Sequence, residues 1–207
     1  MFLAVIAGNI GAGKSTTLNA LKQLLSGYSV CYVYEPVEEW RERGYLDEFY
    51  KTGNAFEFQL RVLYSRINAY EAALSAFRAA HDGGDPVLVV LDRWFCEDRE
   101  FARVNLKRGS MSPNQFALYE TAYSYLQKHY PTPNVSMWLD VSPETCLQRL
   151  NQRGRAEEVS GITMEYLHDL NAAMKDYKHI ILAEKNQPLD IALIIVNLLL
   201  PYDVISV

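Results

Sequence analysis

The chain has 207 residues, a net charge of −5, 49% apolar and 22% charged residues, a globular make-up long enough to bury a substantial core. That excludes disorder, a collagen-like chain and a disulfide scaffold, and the acidic balance argues against broad nucleic-acid binding, which needs a basic footprint. A polyanionic partner would have to meet a local basic site.

The predicted elements alternate between short apolar runs and helical patterns. Phe2 to Ala7 is an apolar run ending in glycines and reads as a buried strand. Lys14 to Gly27 carries Leu18, Leu21, Leu24 and Leu25 at helical spacing. Val30 to Tyr34 reads as a second strand, closed by Glu35-Pro36. Ala55 to Ala80 is a long helix whose Phe56, Leu60, Leu63, Ile67, Tyr70, Leu74 and Phe77 recur in steps of four and three. That stripe suits either a core face or a helix–helix seam between two copies. Pro86 to Leu91 is a third strand running into Asp92-Arg93. Ser112-Pro113 opens another helix, with serine as cap and proline in the first turn. Val135 to Val141 is a fourth strand, and Ser142-Pro143-Glu144 repeats the start signal before Cys146 to Arg153. Thr163 to Tyr177 reads as helix, Ile180 to Ala183 as a fifth strand and Pro188 to Leu200 as a final helix.

This alternation predicts an α/β fold with a five-stranded parallel sheet covered by helices on both faces. With no repeat or low-complexity linker, one domain over residues 1–207 is expected. Ligands of such sheets sit at the carboxyl ends of strands, where Gly8, Glu35, Asp92 and the segment after Val141 fall. Cys31, Cys96 and Cys146 are widely spaced and lack a CxxC, the usage of a reducing compartment such as the cytoplasm. The apolar N-terminus has no basic start or cleavage pattern, and the run from Ile191 to Leu200 is too short to span a bilayer. His81, His129, His168 and His179 show no metal-ligand spacing.

Gly8-Asn9-Ile10-Gly11-Ala12-Gly13-Lys14-Ser15, continued by Thr16, fits G-x-x-x-x-G-K-[ST] in full, with a strand before it and a helix after. Glycines let the backbone curl so that its N–H groups face phosphates, and the following helix adds partial positive charge. Lys14 is placed to reach the β and γ phosphates of ATP, and the Ser15 hydroxyl to ligate Mg²⁺. The bland alternative is an ordinary glycine turn before a helix, which does not require the Lys-Ser pair. No N-K-x-D guanine motif is present. Glu35, after strand two, is either a surface glutamate before a proline turn or a base that accepts the proton of a substrate hydroxyl. As a base it favours a neutral alcohol, because it would repel an acceptor that is already phosphorylated. Arg149 and Arg153 share a helix face, and Arg155 follows Gly154, where a helix would end and a lid could begin. Such a cluster is either a solvated helix end or a set of planar donors for transferring phosphates.

The segments GNIGAGKST, EPVEEW, Phe58-Gln59, Asp92-Arg93 and QRLNQRGRAEE occur in one order between Gly8 and about Tyr166. In this the chain resembles the deoxynucleoside kinase family, which includes deoxycytidine, deoxyguanosine and insect multisubstrate kinases with bacterial and viral relatives. The phosphate loop is shared by many proteins; EPVEEW together with RGRAEE is far more specific. The resemblance implies a P-loop kinase fold with an arginine-rich lid over residues 149–160, ATP and Mg²⁺ as cofactors, a deoxynucleoside as substrate, and commonly a homodimer. It implies Glu35 as general base on the 5′-OH, Arg93 beside the transferring phosphate, and Asp92 organising Mg²⁺ through its water shell. Trp40 would line the nucleoside pocket, Gln59 would bond the base edge, and Tyr50 would share the deoxyribose 3′-OH with Glu158. Arg149, Arg153 and Arg155 would close over the ATP phosphates, and the adenine would rest against the loop from Glu184 to Gln187.

The family reads its base partly at two positions, here Arg66 and Asp98. Gln59 and Arg66 lie two helical turns apart, roughly 10 Å along one face. An Arg–Asp pair there resembles the deoxycytidine and purine deoxynucleoside kinases, whereas thymidine-preferring members leave room for the thymine methyl. The alternative is a surface ion pair of little value. The chain departs from the family at Trp94, usually serine, and at Ala102, near where many members stack an aromatic that Phe101 here could replace. The link from Tyr50 to Gln59 is also shorter than in the animal enzymes, which bears on whether Tyr50 reaches the sugar. The expectation is therefore an ATP-dependent deoxynucleoside kinase preferring deoxycytidine or a purine deoxynucleoside. The alternatives are a thymidine kinase of the same family, a thymidylate-type nucleotide kinase, against which Glu35 argues, and a regulatory subunit without catalysis, against which Lys14, Ser15, Glu35 and Arg93 argue.

Overall fold

The computed structural model describes residues 1–174, 177 and 179–205, apart from the Ser160 side chain. In chain order it places β1 (Phe2–Gly8), α1 (Lys14–Leu24), β2 (Val30–Val33), α2 (Val37–Glu42), α3 (Tyr45–Thr52), α4 (Ala55–Ala80), β3 (Leu88–Asp92) and α5 (Phe95–Lys107). There follow α6 (Pro113–His129), β4 (Val135–Asp140), α7 (Pro143–Arg153), α8 (Ala156–Gly161), α9 (Met164–Ala173), β5 (His179–Leu182), α10 (Pro188–Leu199) and a final 3₁₀ turn, Leu200–Tyr202. The five strands form one sheet in the order β2-β3-β1-β4-β5, and every pairing is parallel.

All five residues of β3, and all of β1 after Phe2, are buried. Successive side chains of a strand point to opposite faces, so burial of every residue means that helices cover both faces of the sheet centre. The apolar runs Leu3–Ala7 and Leu88–Leu91 are suited to that double burial. The chain leaves β1 towards β2, returns to β3 beside β1, and only then crosses to β4 on the other side. The connections after β1 and β3 thus diverge, and a crevice opens at their carboxyl ends. Gly8, Asp92 and the segment after β2 meet there.

Local signals explain the helix limits. Ser112 and Ser142 accept from the backbone N–H groups of Gln115 and Thr145, with proline in the first turn of α6 and α7. Gly154 ends α7 with φ of 68°, a left-handed turn that glycine adopts without penalty. The long helix α4 has the predicted limits, and its apolar stripe packs into the core. Leu63, Ile67, Tyr70 and Leu74 are buried, whereas Phe56, Leu60 and Phe77 are only partly so. Gln59 and Arg66 are buried among them, two polar groups that a hydrophobic pattern passes over.

Other limits move. Helix α1 stops at Leu24, before the Ser26-Gly27 turn, and β3 starts at Leu88 but includes Asp92. Helix α9 ends at Ala173; residues 175 and 176 of the predicted helix lie outside the described residues. Helices α2, α3, α5 and α8 were not anticipated, being short or, in α5, rich in charged residues that blur its apolar face. Trp94, the departure from the family serine, is a core residue: fully buried, packed on Tyr70 and Phe95, and donating to the Pro131 carbonyl. Cys31 and Cys146 are buried and Cys96 half-buried, all as free thiols. Among the described residues no helix is long and apolar enough to cross a membrane.

Candidate active site

The phosphate loop is shaped by its glycines and held by distant elements. Gly11 and Gly13 have φ of 82° and 97°, and a Cβ on Gly11 would stand 2.7 Å from the Cys146 carbonyl oxygen. Only glycine lets α7 pack this closely on the loop. Asn9 is fully buried; its Nδ2 donates to the Leu167 carbonyl at 2.9 Å and its Oδ1 accepts from the Ile10 N–H. Arg149 Nη1 donates to the Ala12 carbonyl at 3.1 Å and Nη2 to the Glu184 carbonyl at 3.4 Å. The Glu184 carboxylate accepts from Ser142 and Thr145, so the loop after β5 is tied to the start of α7. Lys14 Nζ folds back on the Gly8 and Asn9 carbonyls at 3.3 and 3.0 Å. Burial lowers its pKa to about 8, Arg93 acts in the same direction, and Asp92 and Glu35 oppose them.

Ser15 Oγ donates to Asp92 Oδ2 at 2.7 Å, while the other carboxylate oxygen of Asp92 is buried without a hydrogen-bond partner. Burial raises the Asp92 pKa, Lys14 opposes this, and Glu35 adds to it. An orphaned carboxylate oxygen beside a hydroxyl suits a hydrated divalent cation. No group of three or more His, Cys, Asp or Glu forms a metal cage among the described residues. A site of one or two protein oxygens, completed by water and phosphate, is the habit of Mg²⁺.

Glu35 follows β2 and lies between two arginines. Arg93 Nη1 reaches both of its oxygens at 2.9 and 3.1 Å, and Arg66 Nη2 reaches Oε1 at 2.8 Å. Burial alone would raise the Glu35 pKa, but Arg93, Arg66 and Lys14 together hold it down at about 2. Arg93 also donates from Nη2 to the Gly8 carbonyl at 3.1 Å, tying the acceptor side to the phosphate loop. Its backbone has φ of 61°, a left-handed conformation that costs a non-glycine residue about 1 kcal/mol or more. Arg66 is 2% exposed and forks onto Asp98, Nε to Oδ2 at 2.6 Å and Nη2 to Oδ1 at 2.8 Å. Its Nη1 donates to the Asp92 carbonyl at 2.9 Å. Burial raises the Asp98 pKa against the pull of Arg66.

Two clefts adjoin at this point. One is walled by Trp40, Phe49, Tyr50, Phe58 and Phe101, with Gln59 and Asp98 as polar groups. The Gln59 side-chain oxygen is buried and without a partner. The other is lined by the phosphate loop with Arg149, Arg153 and Arg155. Ile10, Glu35, Val37, Arg93 and Glu158 border both. Most of the expected site residues thus converge on the two clefts; Gly8, Asn9, Ala12, Asp92 and Arg66 line neither, and Arg66 stands behind Asp98 and Glu35. Phe101 reaches the apolar cleft whereas Ala102 is buried outside its lining.

The lid arginines are engaged by carboxylates. Glu158 accepts from Arg153 Nε at 3.1 Å and from Arg155 Nη1 at 3.2 Å, and Arg155 Nη2 also donates to Glu38 at 2.7 Å. Arg41 bonds Glu38 and Glu157, so α2 and α8 are joined on the outside. Tyr50 lies in the apolar cleft near Glu158 despite its shorter link to Gln59; burial, with Tyr166 and Glu158, raises its hydroxyl pKa well above the usual range. It packs so closely on the lid that a Cβ on Gly161 would come within 2.2 Å of its ring. Phe49, Tyr166, Glu38 and Arg41 were not anticipated; their only sequence signal is the amphipathic pattern of short helices.

A phosphate loop at the switch point of a parallel sheet, with an arginine-held carboxylate facing it, defines a P-loop α/β phosphotransferase. A family model described as deoxynucleoside kinase matches residues 4–196. Human deoxycytidine kinase is 33% identical over 198 residues, covering 84% of this chain and 72% of its own length. Deoxyguanosine kinase of Dictyostelium discoideum is 32% identical over 177 residues, covering 84% and 58%. The solved structure of M. mycoides deoxyadenosine kinase, described with the products dCMP and a flexible dCDP bound, superposes with a TM-score of 0.74. It is 25% identical and covers 97% of this chain and 100% of that one. The chain belongs to the deoxynucleoside kinase family, whose members are phosphotransferases.

Because its folded pKa is depressed, Glu35 contributes stability that is present above the unfolded value and lost as pH falls through about 2. Glu35→Gln should therefore destabilise the protein at neutral pH, and its Tm deficit should shrink between pH 5 and pH 3; thermal melts across that range check this. Gly161→Ala should push the lid off Tyr50 and raise KM for the deoxynucleoside by roughly tenfold. An unchanged KM, with folding confirmed by urea titration, would show that the lid tolerates the displacement.

Proposed function

We propose that the chain transfers the γ-phosphoryl group of ATP–Mg²⁺ to the 5′-OH of a deoxynucleoside, with deoxycytidine or a purine deoxynucleoside preferred over thymidine. The observation that carries this reading is the position of Glu35 and Arg93 on the shared border of the apolar and phosphate clefts. A nucleoside held among Trp40, Phe58 and Phe101 would direct its 5′-OH to that border. The backbone N–H groups from Gly8 to Thr16 would cradle the phosphates, with Lys14 leaving the loop carbonyls for the phosphate oxygens. Arg93, Arg149, Arg153 and Arg155 would meet the equatorial charge, the lid pair exchanging Glu158 and Glu38 for phosphate. Mg²⁺ would be held by Ser15 and, through water, by Asp92, and when bound it would neutralise charge on the β and γ phosphates.

Glu35 accepts the 5′-OH proton and orients the hydroxyl. A carboxylate with a pKa of about 2 is a weak base, but phosphoryl transfer has a loose transition state in which the proton can leave late. Orientation is then its larger contribution. Glu158, freed from the lid arginines, and Tyr50 would share the 3′-OH.

Base preference rests on two acceptors. The unpartnered Gln59 oxygen and the Asp98 carboxylate both suit an exocyclic amino group, as cytosine and adenine carry. Thymine would set its O4 carbonyl against a carboxylate. A homodimer through α4 and α6 is supported by exposed Tyr64, Leu118 and Tyr125 on those helices. Three free thiols fit a reducing compartment such as the cytoplasm.

The test is product formation from ATP–Mg²⁺ with deoxycytidine, deoxyadenosine, deoxyguanosine, thymidine and thymidine monophosphate in parallel. Monophosphate from deoxycytidine or a purine is expected. Thymidine as best substrate would overturn the base reading, and turnover of thymidine monophosphate alone would overturn the role of Glu35. Glu35→Gln should keep ATP binding, read by calorimetry, while turnover falls by about 10²- to 10⁴-fold; near-wild-type turnover would remove Glu35 from its role.

A further inference from the structure

Arg66 is the most deeply buried cation of the site, yet it borders neither cleft. Its guanidinium is committed to protein acceptors on three elements: the Asp98 carboxylate on α5, the Asp92 carbonyl at the end of β3, and Glu35 Oε1 after β2. Both Asp98 oxygens are taken by this fork, at 2.6 and 2.8 Å. Four of its five N–H donors are thus committed to protein acceptors, and it borders neither cleft in which a base could lie.

Arg93 grips Glu35 with a single nitrogen shared between the two carboxylate oxygens. One donor on the bisector of a carboxylate fixes its distance but leaves its plane free to turn. Arg66 supplies a second donor from another direction, at 2.8 Å from Oε1. Two donors from different elements define the plane, and Arg66 does so from within α4, a helix of 26 residues whose backbone is rigid at that point. Asp98 and the Asp92 carbonyl hold the guanidinium in turn.

We propose that Arg66 is a positioning residue for phosphoryl transfer: it fixes the orientation of the Glu35 carboxylate at the border of the two clefts and makes no contact with the base. This rests on the kinase reading above. Under it, base discrimination belongs to Gln59 and Asp98, and the arginine behind them acts on the rate of the chemical step. A lysine cannot replace it, because a point-like ammonium cannot fork onto Asp98 while reaching Glu35.

The experiment measures kcat and KM for deoxycytidine and deoxyadenosine with ATP–Mg²⁺ in the wild-type chain, Arg66→Lys and Asp98→Asn. Arg66→Lys is expected to lower kcat by about thirtyfold or more, to leave nucleoside KM within about threefold, and to keep the order of bases. Asp98→Asn, at a residue that both lines the base cleft and holds the guanidinium, is expected to change the order of bases, which Arg66→Lys does not. A raised KM and altered base order in Arg66→Lys, with kcat intact, would overturn the proposal and return Arg66 to the base. If melting curves show that Arg66→Lys does not fold, Arg66→Gln is measured in its place, and an intact kcat with an altered order of bases overturns the proposal. Failure of the wild-type chain to phosphorylate any deoxynucleoside would sink the kinase reading itself and is seen before a variant is compared.

Discussion

The Glu35 carboxylate held between Arg66 and Arg93 is the contact on which the rest of the site depends. Around it three cations, Lys14, Arg66 and Arg93, stand against three carboxylates, Glu35, Asp92 and Asp98, nearly all buried. Burying one such charge alone would cost several kcal/mol, and breaking a buried pair by removing one partner about 3–5 kcal/mol. Glu35, Asp98, Arg66 and Arg93 are paired across elements, whereas Lys14 rests on the Gly8 and Asn9 carbonyls and Asp92 accepts from the Ser15 hydroxyl. Arg66 comes from α4, Arg93 from the end of β3, Lys14 from the phosphate loop and Glu35 from the end of β2. The sheet order places those ends side by side.

That balance has a functional consequence. A site neutral within itself can take up a polyphosphate only where cations are released from their internal partners. Arg153 and Arg155, on the cleft lined by the phosphate loop, rest on Glu158 and Glu38, and under the proposed function phosphate would replace those carboxylates. Lys14 rests on loop carbonyls, a weaker hold than an ion pair. Arg66, by contrast, has carboxylates and a carbonyl on every side and stays where it is.

Legibility in the sequence followed the range of the interaction. The phosphate loop was readable because its function is carried by eight consecutive residues. The caps at Ser112, Ser142 and Gly154 were readable because each is a bond within one turn. Helix α4 was readable from its apolar stripe, which packs into the core, but the stripe gave no sign of the polar residues buried beside it. Arg66 and Gln59 are buried there because partners arrive from other elements, and a polar residue on a helix announces no partner. Helices α2, α3 and α8 escaped notice because so few residues cannot display a period. Their packing against one another and on α4 is what holds them.

Alternating apolar runs and amphipathic segments, with G-x-x-x-x-G-K-S after the first run, by themselves determined an α/β sheet fold with a phosphate site at strand ends. The segments EPVEEW, Asp92-Arg93 and QRLNQRGRAEE, in their order along the chain, indicated the family by resemblance. Only the tertiary structure decided which charges meet. Arg66 lies 31 positions from Glu35 and 32 from Asp98, and Arg93 lies 58 from Glu35. Only it set Tyr50 against the lid and sent Trp94 into the core. The physical reason is that an ion pair's strength depends on distance and burial, and both are set by the sheet order and helix packing rather than by any run of neighbouring residues.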